Sequence, residues 1–496
     1  MRPFVSIALA ITFTLAVVAT SGDARPRPRR PRPQPSWVAV SHPKPQTPAV
    51  VAENELPGTP GWLGPAAADR AIEVYASATD ALPGTSVALH VSVANGAMYR
   101  VLVYRLGWYG GIGARQVACL PSCNGGEAGS PQPMTNRDDM GVNWPTTDTL
   151  AINPSWVSGY YLVRAQLVSG SQTGRSATTY VIVDAPEATS RMLVQVPMNT
   201  WEVYNPWSGR SGYDLPGLAP RAHHISFNRP YRWDGPGGQG PLGWEIPFVR
   251  FVERNGYDVS YQSDVYTDQH PESLLTHALV AVPGHSEYWS RAMRTAFESA
   301  RDGGVNLAFM GANAVYWQIR YEDGGRTIVA YKSLYDPNPM RIQKTAMFRE
   351  VGGRECELVG IQFQGGEEYT WGIGDYTATA AAADDPWFTD TGFVPGASVK
   401  GIVSVEADTI PVGESPTFSC GHPLTVLFHR ELGGTFMGNA DATRYTAPNG
   451  AIVFASGSLQ FGWGLDDFSD QPGQTRPTAD PRLQAFMKNA LDAMTR

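Results

Sequence analysis

The chain has 496 residues, with 52 Gly, 40 Pro, an aromatic fraction of 11% and a formal net charge of −8. That length points to two folded units and a tail, and the turn-forming and ring-bearing residues exclude an all-helical fold. Met1 to Ser36 carries six Arg and one Asp, so the remainder is more acidic than the whole, which argues against a nucleic-acid partner.

Residues 1–24, MRPFVSIALAITFTLAVVATSGDA, combine an early Arg2 with an uncharged apolar run from Phe4 to Ala19 and then small residues, the pattern of a cleaved signal peptide. The run is shorter than the roughly 20 residues that span a bilayer, and no later segment reads as a stable membrane span. The expected location is therefore secreted or in the cell envelope. Residues 25–66 read as a Pro/Arg-rich linker, because alternating Arg with Pro keeps the chain extended and self-repelling. Contact of those arginines with anionic wall polymers is the second reading. Four cysteines in an exported chain point to disulfides. Cys119 and Cys123 are close enough to clip a loop, which leaves Cys356 with Cys420, and the spacing CLPSC lacks the two-residue gap of a zinc site.

From 67 to 186 the segments IEVYASA, SVALHVSVA, YRVLVYRLG, GYYLVRAQLV and TTYVIVDA alternate with period two between turn residues. They predict an antiparallel β-sandwich of immunoglobulin-like size. The glycines of GWYGGIGAR precede no helical pattern, so they mark a hairpin or loop and not a dinucleotide site. From 187 to 496 the period changes. MLVQVP, YDVSYQ, ALVAVPG and VNLAFMG read as buried strands. Between them LGWEIPFVRFVERNG has Trp244, Phe248, Phe251 and Val252 at helical spacing, and SRAMRTAFESARDGG is a helix with Ser290 as N-cap and Gly303 near its end. Alternating strands and helices predict an α/β domain with a parallel sheet covered on both faces. After Cys356 the segments GIVSVEAD, PLTVLFHRE and AIVFASGS form a β-rich extension of the same domain, and DPRLQAFMKNALDAM is a closing helix.

Ligands of an open parallel sheet bind beyond the carboxyl ends of its strands. Two loops stand there, GHSEYW and GANAVYW, each with Gly at the strand exit and a Tyr-Trp pair, Tyr288-Trp289 and Tyr316-Trp317. Amphipathic packing is the plainer account of either pair. Their repetition on consecutive strands favours a shared site. Ser286 lies near the place of a nucleophile elbow, but GHSEY lacks the second glycine of that motif. His429 and Glu431 share one strand face as a metal pair would, although exposure of that face is the plainer explanation. Glu367 and Glu368 are adjacent, and neighbours in an extended chain point apart, which disfavours an acid/base pair.

The segments VYRLGWYGGIGAR (Val103 to Arg115), NTWEVYNPWSGRSGYD (Asn199 to Asp214), GHSEYWS and GANAVYWQIRYE resemble the signature segments of the large (β) subunit of N,N-dimethylformamidase and its exported relatives. The resemblance implies a β-sandwich before an α/β domain like that of class I glutamine amidotransferases. It also implies an amidohydrolase acting on the carbon-nitrogen bond of a small-molecule amide through one iron (Fe3+) held by two tyrosines and a glutamate. By position the metal ligands are Tyr288, Tyr316 and Glu406, with Glu431 as the fallback carboxylate. His285 and Glu287 are then the candidate catalytic proton carriers, and Asn313 the donor to a developing oxyanion. A histidine expected two residues before the glutamate is Ser404 in this chain, and no small-subunit counterpart is present in it. Two other readings compete: a non-catalytic cell-surface or carbohydrate-binding protein on the same scaffold, and a carbohydrate hydrolase using Glu287 with a second carboxylate.

Overall fold

The computed structural model describes residues 48–134, 141–186, 189–214, 217–232, 240–364, 374–403, 406–431, 439–469 and 479–496. The predicted signal peptide and most of the linker lie outside these residues, as do Glu367, Glu368 and Ser404. The linker assignment fails for residues 48–66. A helix spans Ala49–Asn54, and Val50 and Trp62 are each 4% exposed. The apolar side chains at 50 and 62 give this stretch a surface to bury, which the Arg-Pro run upstream lacks.

Two sheets follow, antiparallel except that the short edge strand Asp80–Ala81 of the second runs parallel to its neighbour. One joins Ile72–Ala76, Ser86–Val93 and Asp148–Ala151 with Val74 opposite Val91 and Val87 opposite Leu150. The other runs Asp80–Ala81, Ser176–Val183, Gly159–Leu167, Met98–Leu106, Ala114–Leu120. Their facing side chains, among them Val74, Leu89, Val91, Val101, Val103, Val163 and Val181, form one apolar cluster. The period-two pattern is the reason, since every second residue of each strand points inward. The glycine-rich GWYGGIGAR segment is the turn between Met98–Leu106 and Ala114–Leu120, and it holds a 3-10 turn at Tyr109–Gly111.

The second sheet is buried on its other face too. Tyr104, Tyr160, Leu162, Tyr180 and Ile182 join a larger cluster with Trp201, Phe248 and Tyr261 of the following region. Every residue of Gly159–Leu167 is consequently buried. Residues from Thr47 onward therefore form one compact unit, with no gap at the sequence-based boundary of 186/187.

Beyond that boundary stands a nine-stranded mixed sheet. Val259–Ser263, Met192–Val196, Leu279–Pro283, Asn306–Met310 and Ile452–Ala455 are parallel neighbours. Ala440–Thr446, Thr425–Arg430, Gly374–Ala378 and Ser398–Val403 extend it antiparallel. Alternation again sorts the side chains. Val194, Ala281 and Ala308 face Phe248 and Phe486, on the helices Ile246–Arg254 and Pro481–Met494. Leu193, Val280, Leu307 and Phe309 face Met293 and Phe297 of Arg291–Asp302 on the opposite side. Ser290 caps that helix by accepting from the Met293 amide, and Gly303 follows its end. Both disulfides form as expected, Cys119–Cys123 and Cys356–Cys420. No described helix is long and apolar enough to cross a membrane.

Candidate active site

Leu279–Pro283 and Asn306–Met310 end side by side, with Pro283 opposite Met310. Each exits through a glycine because the two loops nearly touch. The Gly284 amide donates to the Met310 carbonyl at 3.1 Å, and a Cβ on Gly311 would lie 1.8 Å from the Gly284 carbonyl oxygen. Only hydrogen fits there. The loops then zip together. Val315 N donates to Ser286 O, and the Tyr316 and Trp317 amides both donate to Glu287 O at 3.0 Å. Tyr288–Ser290 continues as a short strand parallel to Trp317–Glu322. A third strand end contributes the helix Met198–Tyr204, whose Thr200 hydroxyl accepts from the Glu287 amide at 3.0 Å and whose Asn199 amide donates to the Tyr288 carbonyl at 3.1 Å.

These contacts gather a buried polar cluster. The His285 Nε2 lies 2.8 Å from Glu406 Oε2 and 3.3 Å from Glu287 Oε2. Glu287 accepts from the Tyr204 and Tyr213 hydroxyls, each at 3.0 Å. The Tyr288 hydroxyl donates to that of Tyr213 at 2.5 Å. The Lys332 ammonium stands 3.2 Å from the centroid of the Tyr213 ring and 3.4 Å from the Tyr288 oxygen. His285, Glu287 and Tyr288 are 1–2% exposed. The approach of His285 to Glu406 is an ion-pair contact without hydrogen-bond alignment. Both His285 ring nitrogens and Glu406 Oε2 are buried with no hydrogen-bond partner among the described residues.

Burial sets the protonation here, and neighbouring charges correct it. Burial opposes a charge on His285, but Glu406, Glu287 and Glu245 outweigh it and push the imidazole up to about 9. Burial raises Glu287 to about 6 against the pull of His285. It raises Glu245 to about 8, with a hydrogen bond from Trp201 opposing, and it lowers Lys332 to about 7 against Glu287. The phenols of Tyr204, Tyr213 and Tyr288 are held well above their ordinary range by burial and then by Glu287. They are neutral donors unless a cation joins them.

The other expected residues are placed as follows. Glu406 is 6% exposed and belongs to the cluster through His285. Tyr316 enters by its backbone. Its ring packs on Trp317 and Phe363 and beneath Arg349, and burial pushes its phenol up to about 12. Asn313 has a left-handed φ of 52° and its amide donates to Asp408 Oδ1 at 2.8 Å. Its side-chain oxygen is buried without a partner. Ser286 accepts from the Trp289 indole at 2.9 Å, which ties it to packing. Glu431 is exposed and lines a concavity with His429, whose Nδ1 pairs with Asp441 at 2.8 Å. Tyr204, Tyr213, Glu245 and Lys332 were not singled out in the sequence. The first two sit in NTWEVYNPWSGRSGYD, where the density of tyrosines was a signal; Lys332 offers none. Among the described residues no group of three His, Cys, Asp or Glu side chains is set to hold a metal ion.

A family model described as N,N-dimethylformamidase beta subunit-like, C-terminal, matches residues 100–475. The chain belongs to that N,N-dimethylformamidase beta subunit-like family. The match takes in both loops, the helix Met198–Tyr204 and the strands that carry them, and it begins inside the first pair of sheets. Comparison with curated proteins gives no match. Solved structures that match include a chain titled "Structural basis of T cell specificity and activation by the bacterial superantigen toxic shock syndrome toxin-1". It is 22% identical, covers 23% of this chain and 97% of its own length, and has a TM-score of 0.15. At that score the likeness carries no argument about this N,N-dimethylformamidase-like chain.

Proposed function

We propose that the protein is an exported, metal-dependent hydrolase of a C–N amide bond in a small or peptide-like substrate. The observation that carries this reading is the buried cluster of His285, Glu287, Glu406 and three tyrosines at adjoining carboxyl ends of a parallel sheet, in a chain of the dimethylformamidase-like family. We also read the first two sheets as an immunoglobulin-like sandwich and the second region as a relative of class I glutamine amidotransferases. The two disulfides agree with an oxidising, extracellular setting.

The donor chemistry fits a hard, highly charged ion. Phenol and carboxylate oxygens meet in one dry site, and Glu406 Oε2 lacks any hydrogen-bond donor. Tyr288 and Glu406 would hold ferric iron, with Tyr213 and Glu287 lying against Tyr288, and Tyr316, whose ring packs on Trp317 and Phe363, would have to turn its phenol inward to be the third ligand that the family resemblance implies. When bound, the metal supplies a Lewis acid for the carbonyl and an acidified water. This chain's own residues then handle the protons. Glu287, raised to about 6 and fixed by the Tyr204 and Tyr213 hydroxyls, accepts the proton of the attacking water. His285, kept protonated near neutral pH by Glu406, delivers a proton to the amine as the C–N bond breaks. Asn313 turns its amide toward the developing oxyanion. The same burial that raises Glu287 keeps bulk water from competing.

Incubation of the purified full chain with simple N-alkyl formamides and acetamides tests the reading. Amine release that falls on chelation and returns with iron supports it. A protein that binds iron but releases no amine from any of them, with unchanged melting on chelation, would favour a non-catalytic role.

A further inference from the structure

A second buried acidic pair lies away from this site, where the first pair of sheets meets the α/β sheet. Asp80–Ala81 runs parallel to Ser176–Val183, with Asp80 opposite Ile182 and Ala81 opposite Val183. The ladder continues by one rung on each side. The Ile182 amide donates to the Thr79 carbonyl at 2.9 Å, and the Asp184 amide donates to the Ala81 carbonyl at 3.0 Å. That register brings the carboxylates of Asp80 and Asp184 to one spot.

Their surroundings differ sharply. Asp80, part-exposed, accepts from the Ser263 amide at 2.8 Å and from the Ser263 hydroxyl. Asp184 is 2% exposed, and neither of its carboxylate oxygens has a hydrogen-bond partner. Arg326 lines the same cavity and its charge acts on Asp80, but its Nε and Nη2 donate to the Asn228 side chain and the Ala76 carbonyl, and it makes no hydrogen bond with Asp184. Burial and then Asp80 push the Asp184 carboxyl well above the usual range. Two carboxylates facing each other at this seam call for a shared proton or a counter-charge. A shared proton gives one hydrogen bond and still leaves an Asp184 oxygen without a donor. It also makes no use of the adjoining cavity of about 340 Å³, which Thr79, Asp80, Asp184, Tyr266, Gln269 and Arg326 line.

We propose that Asp80 and Asp184, with the Thr79 hydroxyl, bind a hard divalent cation of the calcium type at this seam. The donors are all oxygen, as such an ion demands, and the cavity has room for the waters that complete its shell. The ion joins two regions of the fold. Through Asp80 it reaches Ser263, which caps the helix Asp264–Gln269 of the α/β region by accepting from Tyr266, while Asp184 ends a strand of the second sheet. The inference is independent of the amide-hydrolase reading.

The test uses the full chain stripped with chelator and titrated with calcium and with terbium as a luminescent substitute. Calcium raises the melting temperature by about 2–5 °C at saturation, and terbium emission sensitised by nearby rings such as Tyr266 is displaced by calcium. Asp184→Asn, the same shape with one charge fewer, loses both responses, and Thr79→Val, which removes a single hydroxyl, weakens calcium affinity about tenfold. Absence of any calcium effect on the wild type overturns the site, as does an unchanged response in Asp184→Asn. If Asp184→Asn does not fold, an unchanged affinity in Thr79→Val is the contrary result. Repeating the titration on Tyr288→Phe separates this ion from one at the cluster of His285 and Glu406.

Discussion

Two buried charge clusters in this protein have opposite characters. Arg105 and Glu253, both with fully buried side chains, meet through two hydrogen bonds of 2.8 and 3.2 Å. Glu253 is then completed by Tyr261 on one oxygen and Asn54 on the other. Each carboxylate oxygen has two donors. At His285 the arrangement is reversed: a histidine and a glutamate approach to 2.8 Å without alignment, and a Glu245 oxygen, Glu406 Oε2 and Asn313 Oδ1 all lack partners. A cluster whose carboxylate is fully donated to, with Arg105 Nε its one unpaired atom, does structural work, here fastening the sheet pair and the N-terminal helix to the helix Ile246–Arg254. The other cluster is as deeply buried yet leaves several polar atoms without partners, and such atoms cost stability and concentrate where a ligand binds or chemistry occurs.

The largest expected effect comes from breaking the satisfied cluster. Arg105→Leu leaves Glu253 buried without its cation and destabilises the protein by about 3–5 kcal/mol in denaturant unfolding, and Arg105→Leu with Glu253→Leu recovers much of that loss. In the other cluster Glu287→Gln shifts stability by less than about 1 kcal/mol and lowers kcat for amide hydrolysis about 10²-fold, a barrier of roughly 2.7 kcal/mol, read by steady-state kinetics. If Glu287→Gln instead unfolds the protein with no separate kinetic loss, the contrast between the two clusters collapses.

Glu245 sharpens the comparison through pH. Burial raises it from 4.5 to about 8 in the folded state, so folding takes up a proton. Its contribution is complete below pH 4.5 and is lost as pH rises through 8. Wild-type stability therefore falls over that window by up to about 5 kcal/mol from this group, and Glu245→Gln flattens the slope, as measured by denaturation at pH 5 and pH 9. The smallest effect is at Thr200, whose hydroxyl anchors the Glu287 amide. Thr200→Val costs about 1 kcal/mol, and it lowers kcat more than it raises KM because it loosens Glu287 without touching substrate.

The sequence disclosed the strands and the helices because their apolar residues recur at periods of 2 and 3.6. Val194, Ala281 and Ala308 land on one face and Leu193, Val280 and Leu307 on the other as that rule requires. The loop-end placement of His285, Glu287 and Tyr288 was also legible, from glycines at strand exits. What periodicity could not convey was anything that depends on distance in space. Tyr213 and Lys332 reach Tyr288 from segments 75 and 44 residues away; Tyr213 stands in an aromatic-rich segment, but nothing local marks Lys332. The short strand Tyr288–Ser290 went unread because three residues carry no period. The 25–66 linker was drawn too long because proline content was weighed over Val50 and Trp62, whose burial needs a partner surface that the sequence does not display. The boundary at 186/187 failed to separate two bodies for a similar reason: Tyr160 and Tyr180 look like surface alternation, yet they pack against Trp201.

Iron content and visible absorption of the full chain, purified from metal-replete medium, test the central claim most directly. The account predicts about one iron per chain, a phenolate-to-iron band that Tyr288→Phe abolishes, and amine release from an N-alkyl amide that disappears with the band. Protein free of iron that shows no such band after reloading, or that keeps the band in Tyr288→Phe, would contradict it.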